Sequence, residues 1–319
     1  MADGNPRRID VHHHMFPPTY KTRAGDRIRA SASIGDYSPL FDWTPERALA
    51  LMDKYGVATG IASISTPGIW FGDAAEARSL ARECNEFAAG MVRDHPGRFG
   101  LFAAVPLPDQ DASLREIEYS LDTLKADGIG ILTSYGDKWP GDPAFAPVFD
   151  ELHRRKAVVF VHPTVPVCCR GIIPGIPPAI TEFVFDTTRA ITSLVVNGTF
   201  ARCPDIRFIF CHAGGTVMPI ANRINGWSKR GPVAAKNGPQ GAIETMRRLY
   251  YDIATSANPG AIAALRAVVP LSQILFGSDN PFVPLDFTAQ SMDAFGFSEA
   301  DARAINRENA LRLFPRLRD

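Results

Sequence analysis

Histidine occurs seven times in this 319-residue chain, and four of the seven sit where they could share one piece of chemistry. His12 and His14 lie two apart in the apolar run from Arg8 to Phe16. Side chains on a strand alternate, so these two point together and His13 points away. Two neutral imidazoles on one face each offer a nitrogen lone pair, which suits a divalent metal. A histidine-rich strand end with a packing role is the alternative, because so short a motif matches readily by chance. His162 closes the run Val158–His162 before Pro163, and His212 closes Arg207–His212 before Ala213-Gly214-Gly215. Asp279 stands at the same height in Gly277-Ser278-Asp279-Asn280-Pro281. Four histidines and a carboxylate at comparable strand ends point to a metal-centred site. His95 and His153 fall at helix ends, where solvent or the helix dipole accounts for them.

The elements that must bring these residues together are eight short runs rich in β-branched and aromatic residues. They begin at Arg8, Gly60, Phe99, Gly128, Val158, Arg207, Tyr250 and Ile274. Near-continuous apolar runs indicate strands covered on both faces, as in a parallel sheet. Helical stretches fill the gaps: Thr44 to Tyr55 with Thr44 as cap, Ala74 to Asp94, Asp111 to Ala126, and Pro143 to Lys156. Ala179 to Ala201, Thr216 to Arg230, Pro259 to Val268 and a last helix from Ser298 to Phe314 complete the set. Eight alternations predict an α/β fold, a single (β/α)8 TIM barrel over residues 1–319. The strand C-termini of such a barrel converge on one mouth, which makes His12, His14, His162, His212 and Asp279 neighbours. Pro17 to Asp42 and Pro163 to Pro178 follow strand ends and are expected to be lid or pocket loops.

Composition narrows the partners. With 34 Lys+Arg against 34 Asp+Glu, the chain offers no electrostatic footprint for nucleic acid or an anionic membrane. Its 45% hydrophobic content is ordinary for a globular chain. The five cysteines form no regular framework, and adjacent Cys168-Cys169 are too close for an ordinary bridge. With no secretory leader and no long apolar span, the expected location is cytoplasmic.

The segments Ile9-Asp10-Val11-His12-His13-His14, Val161-His162-Pro163, Phe210-Cys211-His212-Ala213-Gly214-Gly215, Phe276-Gly277-Ser278-Asp279 and Asn309-Ala310-x-x-Leu313-Phe314 carry a resemblance. Together they resemble the amidohydrolase superfamily, in the branch typified by aminocarboxymuconate-semialdehyde decarboxylase. The opening and the stretch Trp43-Thr44-Pro45-Glu46 to Met52-Asp53 are most similar to 6-methylsalicylate decarboxylases. The resemblance implies one divalent metal held by His12, His14, His162 and Asp279, with His212 as an acid/base or substrate-orienting residue. Asp279 would share the catalytic role. Zinc suits a nitrogen-rich site, manganese occurs in some relatives, and no organic cofactor is expected. Two-metal relatives use a modified lysine at the end of strand four. Here that strand ends Ile131-Leu132-Thr133-Ser134, with Lys138 beyond it. The resemblance also implies a homodimer, and Arg230 lies near the place where relatives offer an arginine across the subunit interface.

The implied reaction is metal-dependent, non-oxidative decarboxylation of a small aromatic, salicylate-type or related unsaturated carboxylic acid. Trp70, Phe71 and Phe282, at predicted rim positions, would bury the flat ring, with Tyr135 and Trp139 as weaker candidates. Packing of the barrel's upper layer is the other role open to these aromatics. The same ligand set also serves a hydrolase attacking a C–C, lactone or amide bond. A nucleophilic Cys211 is a poor fit, because strand neighbours face opposite ways. Neutral imidazoles with one aspartate would leave a bound dication with residual positive charge, suited to a carboxylate substrate.

Overall fold

In the computed structural model, which describes residues 6–32, 36–237 and 241–318, eight parallel strands stand side by side in chain order. They are β1 (Arg8–His14), β2 (Val57–Ser63), β3 (Phe99–Ala104), β4 (Gly128–Leu132), β5 (Val158–His162), β6 (Arg207–Phe210), β7 (Tyr250–Asp252) and β8 (Ile274–Leu275). The ring closes from the segment after β8 back to β1: Val11 N donates to Phe276 O at 3.1 Å, Asp279 N to His12 O at 2.8 Å, and His14 N to Asn280 O at 2.8 Å. This is the expected (β/α)8 barrel.

Two cores hold it. Inside the barrel, Phe102 and Phe160 stack at 5.0 Å among Ile9, Val11, Ile61, Ile209, Cys211 and Leu275. The chain's end closes the same cluster with Ala310, Leu313, Phe314 and Leu317. The outer core lies between strands and helices. Thr44 caps the helix Pro45–Lys54 by accepting from Arg47 N, and Ser298 caps Glu299–Arg303 by accepting from Asp301 N.

Several boundaries differ from the sequence reading. β6 stops at Phe210 and β8 after two residues, so His212 and Asp279 sit on connections rather than on strands. Pro17 to Asp42 is not an irregular loop: Pro18–Ala32 is a helix. Tyr20, Ala24 and Ile28, four apart, form a buried stripe only three residues long, which polar neighbours hide in the sequence. Pro163 to Pro178 is irregular as expected, with one short turn at Val167–Cys169.

The Phe102–Phe160 stack fills the barrel floor beneath His12. Phe102→Ala should therefore lower unfolding stability by about 3–5 kcal/mol in chemical denaturation. A loss under about 1 kcal/mol would mean that the interior collapses around the gap.

Candidate metal centre

β1 departs from a regular strand at the point that matters. Asp10 pairs with Gly60 and His13 with Ala62, so β1 spends three residue steps where β2 spends two. The irregularity lets Val11 join the interior cluster while the His12 ring also turns inward, 5.2 Å from Phe160. His12 and His14 then share a face, as alternation predicts. On the opposite face His13 Nδ1 meets Asp10 at 3.0 Å. Asp10 also accepts from His12 N at 3.1 Å, Ser278 N at 2.9 Å and Ser278 Oγ at 2.5 Å. One buried carboxylate therefore ties the His12 backbone to the turn that carries Asp279.

The donor atoms of His12, His14, His162 and Asp279 all lie within 4.8 Å of one another, and all four residues are buried. His12 Nε2 is 3.0 Å from His14 Nε2, and Asp279 Oδ1 is 3.1 Å from His14 Nε2 and 3.3 Å from His12 Nε2. The other nitrogen of each ring is already engaged. His12 Nδ1 faces Asp252 at 3.1 Å, His14 Nδ1 faces Ser63 Oγ at 3.0 Å, and His162 Nδ1 faces Pro163 O at 2.8 Å. Partners of this kind fix the ring and direct Nε2 to the centre. Three imidazoles and a carboxylate converging without a lysine fit a single divalent ion. Lys138 is exposed, its backbone paired with that of Tyr135, and is not among the clustered residues.

Burial pushes His162 well below its usual pKa, helped by the neighbouring imidazoles of His14 and His12, so it stays a neutral donor. Burial also lowers His14. Burial opposes a proton on His12 too, but Cys211, Asp252 and Asp279 overcome it and raise that group. Asp279 is held well below the carboxylate range: burial works against this, and His12, His14 and His212 outweigh it. The pocket is thus a place where buried negative charge calls for a cation.

His212 reaches the cluster by a different route. It has φ 54° and Ala213 φ 56°, both in the left-handed region, and Gly214 and Gly215 continue the turn. A Cβ at Gly215 would lie 2.2 Å from Val184 O, so the turn packs too tightly for a side chain there. His212 N donates to Asp252 at 3.1 Å, and Nε2 lies 3.3 Å from Asp279 Oδ2. Its Nδ1 has no hydrogen-bond partner among the described residues. Asp279 is also left-handed, with φ 65°. Such strain outside glycine is held in place by surrounding structure and gathers at working sites.

This geometry corrects one argument from the sequence. Cys211 and His212 do not face opposite ways, because β6 has ended and the backbone turns. Cys211 belongs to the interior cluster and could join His12 and Asp252 around an ion. It remains a poor nucleophile: its thiol donates to Val161 O at 3.1 Å, and burial raises its pKa strongly.

The rim residues divide. Trp70, Phe71 and Tyr135 line a cavity of about 660 Å³ with Thr66, Ser134, Thr164, Arg27 and Arg170. Thr66 and Thr164 bond to each other at 2.9 Å, and the adjoining Ser65 Oγ is 3.4 Å from His162 Nε2, so the cavity begins beside the cluster. Phe282 packs edge-on against His14 at 5.5 Å and lines a second cavity, of about 640 Å³, with Trp43 and Tyr55. Arg230 is exposed beyond the helix Ala221–Ser228 and lines neither cavity. Trp139 is structural: its indole N–H donates to Asp186 at 2.7 Å. Asp186 also accepts from Thr133 and Ser134, and Thr133 Oγ1 takes the amide of Thr164.

Asp252, Asp10, Asp186 and Ser63 are the residues that the sequence reading missed. Asp252 had a visible signal, an acidic residue in the middle of the seventh apolar run Tyr250-Tyr251-Asp252-Ile253-Ala254. Asp186 and Ser63 act on neighbours far away in the chain, and Asp10, though it also bonds His12 and His13, matters through its link to the distant Ser278; none carries a local signature.

The profile of the family described as Amidohydrolase matches residues 9–316. The chain is 37% identical to a 6-methylsalicylic acid decarboxylase of Penicillium expansum, covering 98% of this chain and 97% of the relative. It is also 37% identical to the decarboxylase yanB of Aspergillus niger, over 97% of this chain and 88% of that one. Among solved structures it resembles the dihydroxybenzoic acid decarboxylase of Polaromonas, with bound manganese and the inhibitor 2-nitroresorcinol, at a TM-score of 0.85. Identity there is 22%, over 98% of each chain, so this likeness is one of fold.

Asp252→Asn keeps the size of the side chain that orients His12 but removes its charge. Metal affinity should fall about 10–100-fold in a chelator competition while the far-ultraviolet spectrum stays unchanged. Gly277→Ala should do the same by crowding, since its Cβ would stand 2.8 Å from His12 Cβ and 2.9 Å from Asp252 Cβ. Unchanged affinity in both variants would remove Asp252 from the positioning of His12.

Proposed function

We infer that this chain, which belongs to the amidohydrolase family, is a metal-dependent decarboxylase of small, salicylate-type aromatic carboxylic acids. The observation that carries the reading is 37% identity to a 6-methylsalicylic acid decarboxylase over nearly the whole of both chains, joined to a buried His/His/His/Asp cluster beside an aromatic-lined cavity. His12, His14, His162 and Asp279 would hold the ion. A divalent ion there supplies a positive charge that draws in the substrate carboxylate and withdraws electrons from the ring. Zinc is our assignment on ligand grounds, with manganese as the competitor that a metal analysis must separate.

The chain's own residues do the rest. Trp70 and Phe71 offer flat apolar surface for the ring, leaving orientation to the polar end of the cavity. Asp279 divides its carboxylate: Oδ1 faces His12 and His14, and Oδ2 faces His212. His212 Nε2 and Asp279 Oδ2 are therefore the pair we assign to hold the proton. Its delivery to the ring carbon bearing the carboxylate interrupts aromaticity. Cleavage of the bond to the carboxylate leaves that electron pair on the ring carbon, releases carbon dioxide and restores aromaticity.

We further propose one barrel domain over residues 1–319, a homodimer and a cytoplasmic location. Large apolar side chains exposed at Ile172, Ile173, Ile176, Ile180, Phe185 and Trp227 support a subunit contact. Five free cysteines are in keeping with a reducing compartment. No helix among the described residues is long and apolar enough to cross a membrane.

Metal-loaded protein given salicylate-type acids should release carbon dioxide and leave esters, lactones and amides intact. Hydrolysis without carbon dioxide release would replace this reading with the hydrolase. His212→Asn should keep its metal and lose about 10²–10⁴-fold in kcat. Full turnover by that variant with metal bound would take His212 out of proton transfer.

A further inference from the structure

Beyond the metal centre, one pair of reactive groups stands unused. Cys168 Sγ and Cys169 Sγ are 2.9 Å apart, closer than two non-bonded sulfurs ordinarily rest. Cys168 is exposed and Cys169 buried, so one thiol meets solvent while the other waits behind it. The remaining cysteines, Cys84, Cys203 and Cys211, are all buried.

The pair lies on the short turn Val167–Cys169 after β5, where Cys169 N donates to Pro166 O at 3.0 Å. Its two flanking residues, Val167 and Arg170, line the 660 Å³ cavity beside the metal centre. Any covalent change at 168–169 therefore acts on the cavity wall, and not on the strand ends that carry His12, His14 and His162.

We propose that Cys168-Cys169 is a modification site, a vicinal dithiol that a peroxide-class oxidant closes into a disulfide, reshaping the substrate cavity. The Cys168 sulfur attacks one peroxide oxygen, the O–O bond breaks, and water leaves behind a sulfenic acid on Cys168. The Cys169 sulfur then attacks the Cys168 sulfur, an S–S bond forms, and the hydroxyl departs with the Cys169 proton as a second water. Two thiols are oxidised by two electrons in all, and one peroxide is reduced to two waters.

Adjacent Cα atoms are about 3.8 Å apart, shorter than the usual span of a disulfide, so the eight-membered ring is strained. A strained bridge is readily reduced, which makes the change reversible by a small dithiol. Closing the ring fixes the backbone between Cys168 and Cys169 and moves Val167 and Arg170 with it.

The holoenzyme is treated with one equivalent of hydrogen peroxide, quenched with catalase, and analysed by intact mass, peptide mapping and steady-state kinetics. The expected result is a loss of about 2 Da confined to the 168–169 peptide and reversed by dithiothreitol. KM for a salicylate-type acid should rise roughly threefold or more, with kcat within about twofold. Cys168→Ser should show neither the mass loss nor the KM change, and Cys169→Ala should stop at oxidation of Cys168 alone. A gain of about 16 or 32 Da on Cys168 of the unaltered chain, with Cys169 still open to alkylation, overturns the proposal. So does a bridge between two chains, or a 168–169 disulfide that leaves KM unchanged. The kinetic arm rests on the decarboxylase reading and the mass arm does not, so failure of one is distinguishable from failure of the other.

Discussion

Two imidazole nitrogens held 3.0 Å apart in a buried pocket, with a carboxylate oxygen at 3.1 Å and 3.3 Å, share a cation far more comfortably than they face one another. That crowding of electron-rich atoms sets the terms for everything around it. His12 must be turned by Asp252, His14 by Ser63 and His162 by Pro163 O. Asp252 in turn takes the amide of His212, so the residue that orients the first histidine also fixes the fourth. The outer bonds make the inner arrangement rigid, and rigidity is what lets one ion or proton be recognised in a dry site.

Several backbone distortions fall where this demand is strongest. β1 takes an extra residue between Asp10 and His13, and His212, Ala213 and Asp279 adopt left-handed conformations. Asp10 holds two of these places together by binding both the His12 amide and the Ser278 amide. Beneath them the stacked Phe102 and Phe160 give the histidines an incompressible floor.

Much of this was legible in the amino-acid order. Eight apolar runs with helical stretches between them give the barrel, and histidines at the ends of three runs give the centre. The left-handed turn at His212 was less visible: the Gly214-Gly215 pair hinted at it, yet alternation placed Cys211 on the wrong side. The helix Pro18–Ala32 escaped notice because Tyr20, Ala24 and Ile28 make a stripe too thin to stand out from charged neighbours. Asp10, Asp186 and Ser63 were illegible, since each matters through a partner whose proximity only the folded chain creates. Phe282, expected with Trp70 and Phe71 around one ring, lines a separate cavity although its ring touches His14. Arg230, expected at a substrate contact, lies exposed and lines neither cavity.

Decarboxylation is proposed to require one divalent ion, held by His12, His14, His162 and Asp279. The most direct test is a titration of chelator-stripped protein with zinc or manganese, following carbon dioxide release from 6-methylsalicylate against bound metal. Activity should rise in proportion to occupancy and saturate at about one ion per chain, as a mononuclear site requires. Turnover by the metal-free protein, or a rise that needs two ions per chain, would contradict that requirement.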